Sequence, residues 1–447
     1  MDSSQRKLLL DEGIKFIRFL WCDNANVIRA KAGHVNHLDE FVENGINITV
    51  AQQALPVMQD VVVPETGLGP IGEVRLMPDW STLKILPYAA QQALVISDMI
   101  VGTTRKVWEH CPRGFLRRQI EELAAKGLVL KAAFENEFYL LRRNASGELV
   151  PVDETVFCAT GSMNQNVAFI NDLAAALVAQ GLQVENYYPE SGPGQQEMNI
   201  RYAEAMGAAD RQLIFRETVR GISVRHGLVA SFLPKIYENT AGSGCHINFS
   251  LWRNETNASG DPRQANGISR EAGAFVAGVM DHLPALTAIT LPCKNSYRRL
   301  LPHCWAGAFR AWGYQNREAA MRICKDNAES QAARIELKTA DATANPYLAL
   351  GSLIAAGLDG LERDLALPEE TALDPGLIPE DERREKGIDP LPQNLGMAIE
   401  KLRGDPVLLD AMGNDLARSF LGVRQNEWEA LKDLSLPEER KLLIERY

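Results

Sequence analysis

Short apolar runs, rather than long helical stripes, fill the first hundred or so positions. Residues 16–22 (FIRFLWC) and 26–30 (NVIRA) are rich in β-branched and aromatic side chains. The turn-forming pair Asp23-Asn24 lies between them, so they predict a hairpin. Residues 64–70 are rich in Gly and Pro and break the pattern, after which 73–77 and 83–87 again look extended. The expectation is a small strand-rich module over residues 1–107 and a larger unit over 108–447.

Past Cys111-Pro112 the period lengthens. Residues 114–126 carry apolar positions at helical spacing and stop at Gly127. Residues 128–141 read as a strand, and 167–180 as a helix closed by Gly181. Residues 211–226 and 269–283 continue the helical content, as do roughly the last fifty residues. The acidic, proline-rich stretch 364–392 reads as an exposed loop. Antiparallel-looking strands with helices set between them predict an α+β fold.

Composition narrows the function classes. The chain has 447 residues, 46% of them hydrophobic, enough for a sizeable core. A net charge of −11 argues against a nucleic-acid partner. No run of about 18 apolar residues suggests a membrane span. The charged start MDSSQRKLLLDEG lacks the apolar centre of a secretory signal. The seven cysteines (22, 111, 158, 245, 293, 304, 324) never form a C-x-x-C pair, so free thiols in a reducing cytoplasm are expected.

The chemistry begins where carboxylates interrupt apolar runs. In KAAFENEFYLL, Glu135 and Glu137 fall on the same face of a strand flanked by Phe134 and Phe138. Two carboxylates on a buried face repel and lose hydration, which a divalent cation can offset. In YYPESGPGQQEMNI a Gly-Pro-Gly turn can fold Glu190 back beside Glu197. In TAGSGCHINFSLW a Gly-Ser-Gly leads to His246, with Asn248 and Ser250 at alternate positions. In ARIELKTADATANPYLAL, Glu336 stands among apolar neighbours close to Arg334 and Lys338. Five carboxylates and one imidazole suit Mg²⁺ or Mn²⁺ rather than zinc. Arg298, Arg299, Arg317, Arg322 and Arg334 lie in one short part of the chain. Divalent ions beside several arginines describe phosphoryl transfer, without a P-loop or a Rossmann glycine motif.

In this order the motifs resemble the glutamine synthetase superfamily over nearly the whole chain. They run E-x-E at 135–137, E-x-x-P-G-Q-x-E-x-N at 190–199, GSG-x-H at 242–246 and NSY-x-R-L-x-P at 295–302. Asn316-Arg317, Arg322-Ile323, RIE-x-K at 334–338, ANPYLAL at 344–350 and AAGLDG at 355–360 follow. The resemblance implies a β-grasp N-terminal domain and a larger catalytic α+β domain. It also implies a homo-oligomeric ring, usually a dodecamer, with active sites between subunits. Two or three Mg²⁺ or Mn²⁺ ions would serve each site. Glu137, Glu190 and Glu197 would hold one, and Glu135, His246 and Glu336 the other. Asn248, Ser250, Arg322 and Arg334 would lie near ATP, and Arg317 and Arg322 near the transferred phosphoryl group. Arg299, Gly242 and Lys338 would grip glutamate.

Departures from the family pattern bear on the second substrate. The stretch RRLLPHCWAGAF, 298–309, has Trp305 where ammonia-using members carry a flap glutamate. The family's second ammonium-site acid has no counterpart in NITVAQQALPVMQD. A tryptophan face suits an organic amine, by cation–π contact or stacking. His303 is the candidate replacement base. The family's Asn before GSG is Ala241, the Arg after RIE is Lys338, and Gln331 stands in place of a nucleotide-side lysine. The expected activity is an ATP-dependent ligase joining glutamate to an alkyl or aryl amine through γ-glutamyl phosphate. The alternatives are an ammonia-using glutamine synthetase and a non-catalytic oligomer of the same fold.

Overall fold

A computed structural model describes residues 1–264, 266–325 and 332–447 of the chain, so Gln331 lies outside the described residues. The N-terminal sheet contains β1 (Phe16–Cys22), β2 (Ile28–His34), β3 (Ile46–Thr49), β4 (Glu73–Ile85) and β5 (Gln92–Ile100), in the order β2-β1-β5-β4-β3. The predicted hairpin forms, with β1 antiparallel to β2 and parallel to β5. Its second strand starts at Ile28, because Asn26 takes a left-handed φ of 63° in the turn. The two runs predicted at 73–77 and 83–87 are one strand. A register shift between Asp79 and Lys84 separates them and hides the continuity in the sequence.

Alternation along β1 serves two cores. Ile17, Phe19 and Trp21 pack with Leu76 and Trp80 in a local cluster, while Leu20 and Cys22 join the main core of the chain. β1 is therefore buried on both faces, and one face is continuous with the larger unit, while β2 at the sheet edge is largely exposed.

The large sheet is built round β6 (Val129–Arg143). Its other long strands are β8 (Val184–Pro189), β9 (Gln195–Ile200), β12 (Ile247–Arg253), β14 (Phe309–Tyr314), β15 (Ala319–Lys325) and β16 (Ala332–Leu337). The order is β14-β15-β16-β12-β6-β9-β8. Short strands β7 (Leu149–Pro151), β10 (Ala203–Glu204) and β11 (Val229–Ser231) pair with β6, and β13 (Thr256–Asn257) pairs with β12. All pairings are antiparallel except β14 with β15. Helices cover this sheet, and their ends refine the sequence expectations. Pro112–Ala125 and Val167–Ala179 agree closely, whereas Ala205–Arg225 and Arg270–Thr290 are longer than predicted.

Arg270–Thr290 qualifies the reading of apolar runs. It is long and apolar enough to cross a membrane, with a mean hydropathy of 1.4 over its best window, yet 83% of that window is buried inside the protein. It packs against the helix Pro346–Glu362 at glycines. A Cβ on Gly360 would lie 2.1 Å from the Ala274 carbonyl, and one on Gly278 would lie 2.3 Å from that of Ala356. The ANPYLAL motif starts this second helix. The Asn345 side chain accepts from the N–H of Tyr347 at 3.0 Å and donates to the Asp23 carbonyl in the β1–β2 turn at 3.3 Å.

The stretch 364–392 is not a free loop. It contains the short helices Pro375–Leu377 and Glu380–Glu385 and buries Ile378, Ile388 and Leu391. It runs along the edge of β14, where Thr371 N–H donates to the Trp312 carbonyl at 2.9 Å and Arg310 N–H to that of Asp389 at 2.8 Å. Its acidic and proline content suits a strap that covers a sheet edge.

His282, buried in Arg270–Thr290, ties three helices together. Its Nδ1 meets Asp405 at 2.6 Å and its Nε2 meets Asp359 at 3.0 Å. Burial disfavours the imidazolium, but the two carboxylates outweigh it and raise its pKa. The stabilisation is complete below the unfolded value of about 6.5 and fades as pH rises through the raised folded value. His282→Asn should cost about 1–3 kcal/mol. Thermal melts of both proteins across pH should show the Tm gap widest in acid and narrowing toward alkaline pH.

Candidate active site

The sheet register assembles the carboxylates. Glu137 on β6 faces Glu197 on β9, and Glu135 faces Asn199. The turn after β8 returns the chain as expected, with Glu190 N–H donating to the Gln195 carbonyl at 2.9 Å. On the other side of β6, His246 stands one residue before β12, and its carbonyl accepts from Glu135 N–H at 3.0 Å. Glu336 on β16 pairs with Asn248 on β12. All six predicted metal residues line one cavity of about 570 Å³.

Two subsets differ in spacing. His246 Nδ1 lies 3.0 Å from Glu135 Oε2 and 3.2 Å from Glu336 Oε1, so the donor atoms of this set converge. Glu137, Glu190 and Glu197 are set wider. Glu137 Oε2 accepts from Gly244 N–H at 2.9 Å and from Gln195 Nε2 at 3.2 Å. Burial is the main reason that Glu137 is raised, and that Glu190 and Glu197 are pushed up to about 7, with neighbouring carboxylates adding to it. Burial also opposes ionisation of Glu135 and Glu336. Hydrogen bonds to His246 outweigh it and hold both below the usual range. Burial likewise works against the His246 imidazolium, but those carboxylates raise it.

The donor set fits hard divalent cations: five carboxylates and one imidazole, with charge repulsion to be relieved. The backbone leaves room for them. A Cβ on Gly244 would stand 2.8 Å from His246 Nε2, 2.8 Å from Arg299 Nη2 and 3.1 Å from Glu137 Oε1. A Cβ on Gly242 would meet the Pro234 carbonyl at 2.7 Å and Arg299 Cγ at 2.8 Å. Both glycines are thus required by close approach.

The basic residues divide. Buried Arg299 lines the cavity, while its Nη2 donates to the Ala340 carbonyl at 2.9 Å and its Nε to that of Ser243 at 3.2 Å. Lys338 lines the cavity too, but its Nζ is 3.2 Å from Glu336 Oε1. Arg322 Nη1 is 3.0 Å from Glu336 Oε2, so one carboxylate carries two cations. Arg317 reaches the cavity from the outside, with its guanidinium 5.8 Å from the Trp305 ring centre. Arg298 also lines the cavity, but its guanidinium is bound at 2.9 Å to buried Glu439. Asn248 and Ser250 follow His246 on one face of β12 but do not line the cavity. Asn248 Oδ1 is buried without a hydrogen-bond partner among the described residues, while Ser250 accepts from Trp252 Nε1 at 2.9 Å. Arg334 is exposed on β16 opposite Cys324. His303 and Trp305 both line the cavity mouth, and Trp305 is 56% exposed.

Comparison with known proteins decides the family. Residues 8–110 match the family model of the glutamine synthetase N-terminal domain, and residues 109–442 match that of the glutamine synthetase catalytic domain. This chain belongs to the glutamine synthetase family. Glutamine synthetase relatives include the gamma-glutamylpolyamine synthetase GlnA3 of Streptomyces coelicolor, 35% identical over 95% of this chain and 92% of that protein. Type-1 glutamine synthetase 1 of Dictyostelium discoideum is 33% identical over 97% of this chain and 90% of its own. A solved GmaS/ADP complex superposes with a TM-score of 0.84 at 27% identity, covering 98% of each chain. The protein is an ATP-dependent ligase of a glutamine synthetase family that works with ATP and divalent metal ions.

Several cavity or neighbouring residues were not singled out from the sequence. Phe157 and Tyr188 line the cavity, with rings 5.8 Å apart in an edge-on contact. Gln195 bridges Glu137 to the Gly242 carbonyl at 3.1 Å, and its place inside the P-G-Q motif could have marked it. Glu318, directly after Arg317, accepts from Trp305 N–H at 2.8 Å. Asp374 reaches His303 from the strap, a contact with no local signature.

Two outcomes follow from this geometry. Gly244→Ala should weaken divalent-ion binding roughly 10–100-fold, read by calorimetric titration of Mn²⁺. Because Glu190 and Glu197 hold protons up to about pH 7, metal binding should release protons below that pH and weaken as pH falls. Titrations in buffers of different ionisation enthalpy measure this directly.

Proposed function

We propose that the protein joins glutamate to an organic amine, preferring alkyl or aryl amines, with ATP hydrolysed to ADP through γ-glutamyl phosphate. The observation that carries this reading is Trp305. It stands in the cavity wall where the resemblance expects a flap carboxylate. Phe157 and Tyr188 add aromatic surface to the same cavity. The Arg317 guanidinium already lies over the Trp305 ring, which disfavours a polycationic amine there. The relative that makes gamma-glutamylpolyamines supports amide synthesis as the reaction class.

In this reading Glu137, Glu190 and Glu197 hold one Mg²⁺ or Mn²⁺, and Glu135, His246 and Glu336 a second. Such ions supply charge neutralisation for phosphoryl transfer. Asn248, Ser250 and Arg334 belong to the nucleotide side, and the free Asn248 Oδ1 is suited to accept a hydrogen bond there. Arg317 and Arg322 stabilise charge on the transferring phosphoryl group. Arg299, the Gly242 backbone and Lys338 orient the acid. Its γ-carboxylate attacks the terminal phosphorus of ATP, and the amine then displaces phosphate from the acyl carbon. The aromatic wall keeps water from the mixed anhydride. A ring-shaped homo-oligomer, a dodecamer by family resemblance, completes the proposal, and light scattering would measure its size. Ammonia as the nitrogen source is the second reading, favoured by the glutamine synthetase of Dictyostelium discoideum among its relatives.

Phosphate release with Mg²⁺, ATP and glutamate tests both readings across ammonium, methylamine, isopropylamine, ethanolamine, putrescine, spermidine and aniline. Turnover with alkyl or aryl amines should exceed that with ammonium and with the polyamines. Trp305→Ala should raise KM for the preferred amine about fivefold, as expected for loss of roughly 1 kcal/mol of ring contact. Strong turnover with ammonium alone would sink the organic-amine reading.

A further inference from the structure

The loop 301–307 at the cavity mouth is held in an unfavourable shape by contacts from two other segments. His303, Trp305 and Gly307 have φ of 60°, 55° and 71°. For the two non-glycine residues this is an unfavourable region, because Cβ crowds the following carbonyl oxygen. Such a conformation persists where surrounding contacts over-determine it. Here Trp305 N–H donates to Glu318 Oε1 at 2.8 Å, from the residue just before β15. His303 Nδ1 meets Asp374 Oδ2 at 2.7 Å, from the strap along β14. Gly376 lies against the same imidazole, and a Cβ there would come within 2.8 Å of Cε1 and 3.1 Å of Nε2. A larger residue at 376 would push the ring aside.

This arrangement determines how the imidazole is used. A carboxylate at Nδ1 makes that nitrogen the donor and leaves the lone pair on Nε2. The ring lines the cavity beside Trp305. The charged and titratable groups around it include Asp374 on the strap, Glu318 before β15, Arg317 over Trp305, and Cys304, Lys235, Arg298, Arg299 and Lys338 in the cavity wall. Burial raises the Glu318 carboxyl, and the Trp305 N–H engages one of its oxygens. His303 thus lines the cavity with its orientation fixed by a second residue.

We propose that His303 is the base that takes the proton of the incoming amine, with Asp374 and Glu318 as positioning residues. The proposal rests on the amide-forming reading above. An alkylamine arrives as R–NH3⁺, and Nε2 of His303 accepts one proton to leave R–NH2. The nitrogen lone pair forms the C–N bond at the γ-acyl carbon. The C–O bond to phosphate breaks, and phosphate departs with that electron pair. The second amine proton goes to the leaving phosphate, and His303 returns its proton to solvent. The Asp374 carboxylate stabilises the imidazolium between these steps.

The test uses the full chain and amines of different basicity. His303→Asn keeps a side-chain donor for Asp374 but removes Nε2. At pH 7 its kcat with isopropylamine should fall about 100-fold, the lower range for loss of a general base. With methoxyamine, which is already neutral at that pH, kcat should change little. The amine-independent burst of ADP from ATP and glutamate should be intact, which also reports a folded site. Added imidazole should restore isopropylamine turnover in His303→Gly, and Asp374→Asn should show a smaller loss confined to basic amines. Equal losses with both amines, or no rescue by imidazole, would overturn the proposal and leave His303 a structural residue. If the wild-type protein uses only ammonium, the organic-amine reading fails on its own. Ammonium is also protonated at pH 7, so the His303→Asn loss and its rescue would still be read with that substrate.

Discussion

Five carboxylates brought together at the interior end of a sheet are the constraint on which the molecule depends. Glu135, Glu137, Glu190, Glu197 and Glu336 share one cavity, and burial there works against their ionisation. The surrounding structure is arranged to bear that charge. Arg322 and Lys338 pair with Glu336, His246 lies between two carboxylates, and backbone N–H groups meet Glu137 and Glu190. Glycine at 244 keeps the space between these groups open. The residual imbalance is a demand for divalent cations, and the family's chemistry uses the same demand for ATP.

Around that centre the scaffold is closely packed. β6 passes through the middle of the large sheet and carries two of the carboxylates, with β9 and β12 as its neighbours. Behind it, the long apolar helix Arg270–Thr290 and its partner Pro346–Glu362 meet at glycines. Asn345 ties the start of that second helix to the β1–β2 turn, so the small sheet and the catalytic core share one packing unit. The mouth of the cavity is built differently. There, a loop with left-handed residues is held by a strap and by one carboxylate. The outer wall and the carboxylate centre are thus built from different segments.

Charge at the mouth and charge at the centre are separate problems. At the centre, cations neutralise carboxylates at close range. At the mouth, Arg317 lies against the Trp305 ring, and Asp374 and Glu318 are committed to His303 and to the loop backbone. Among the described residues, the two carboxylates nearest Trp305 and His303 each hold a group of the loop, Glu318 the Trp305 N–H and Asp374 the His303 imidazole.

The sequence by itself determined the elements whose cause is local and the chemistry whose signature is dense. The first hairpin, the helices at 112–125 and 167–179, the Gly-Pro-Gly return to Glu197 and the six clustered donors were all legible. Alternation, capping and turn residues act over a few positions, so a one-dimensional pattern records them. Tertiary structure decided what depends on contacts between distant segments. It joined two runs into one strand across an irregular register, and it buried an apolar helix of membrane-spanning length. It also turned an apparent acidic loop into a strap that delivers Asp374 to His303, 71 residues away in sequence. Arg298 and Arg299 both reach the cavity, but Arg298 is held by Glu439 and Arg299 by the Ser243 and Ala340 carbonyls, for the same reason. Adjacent residues of identical type differ only in what folds against them, and that information lies outside their own stretch of chain.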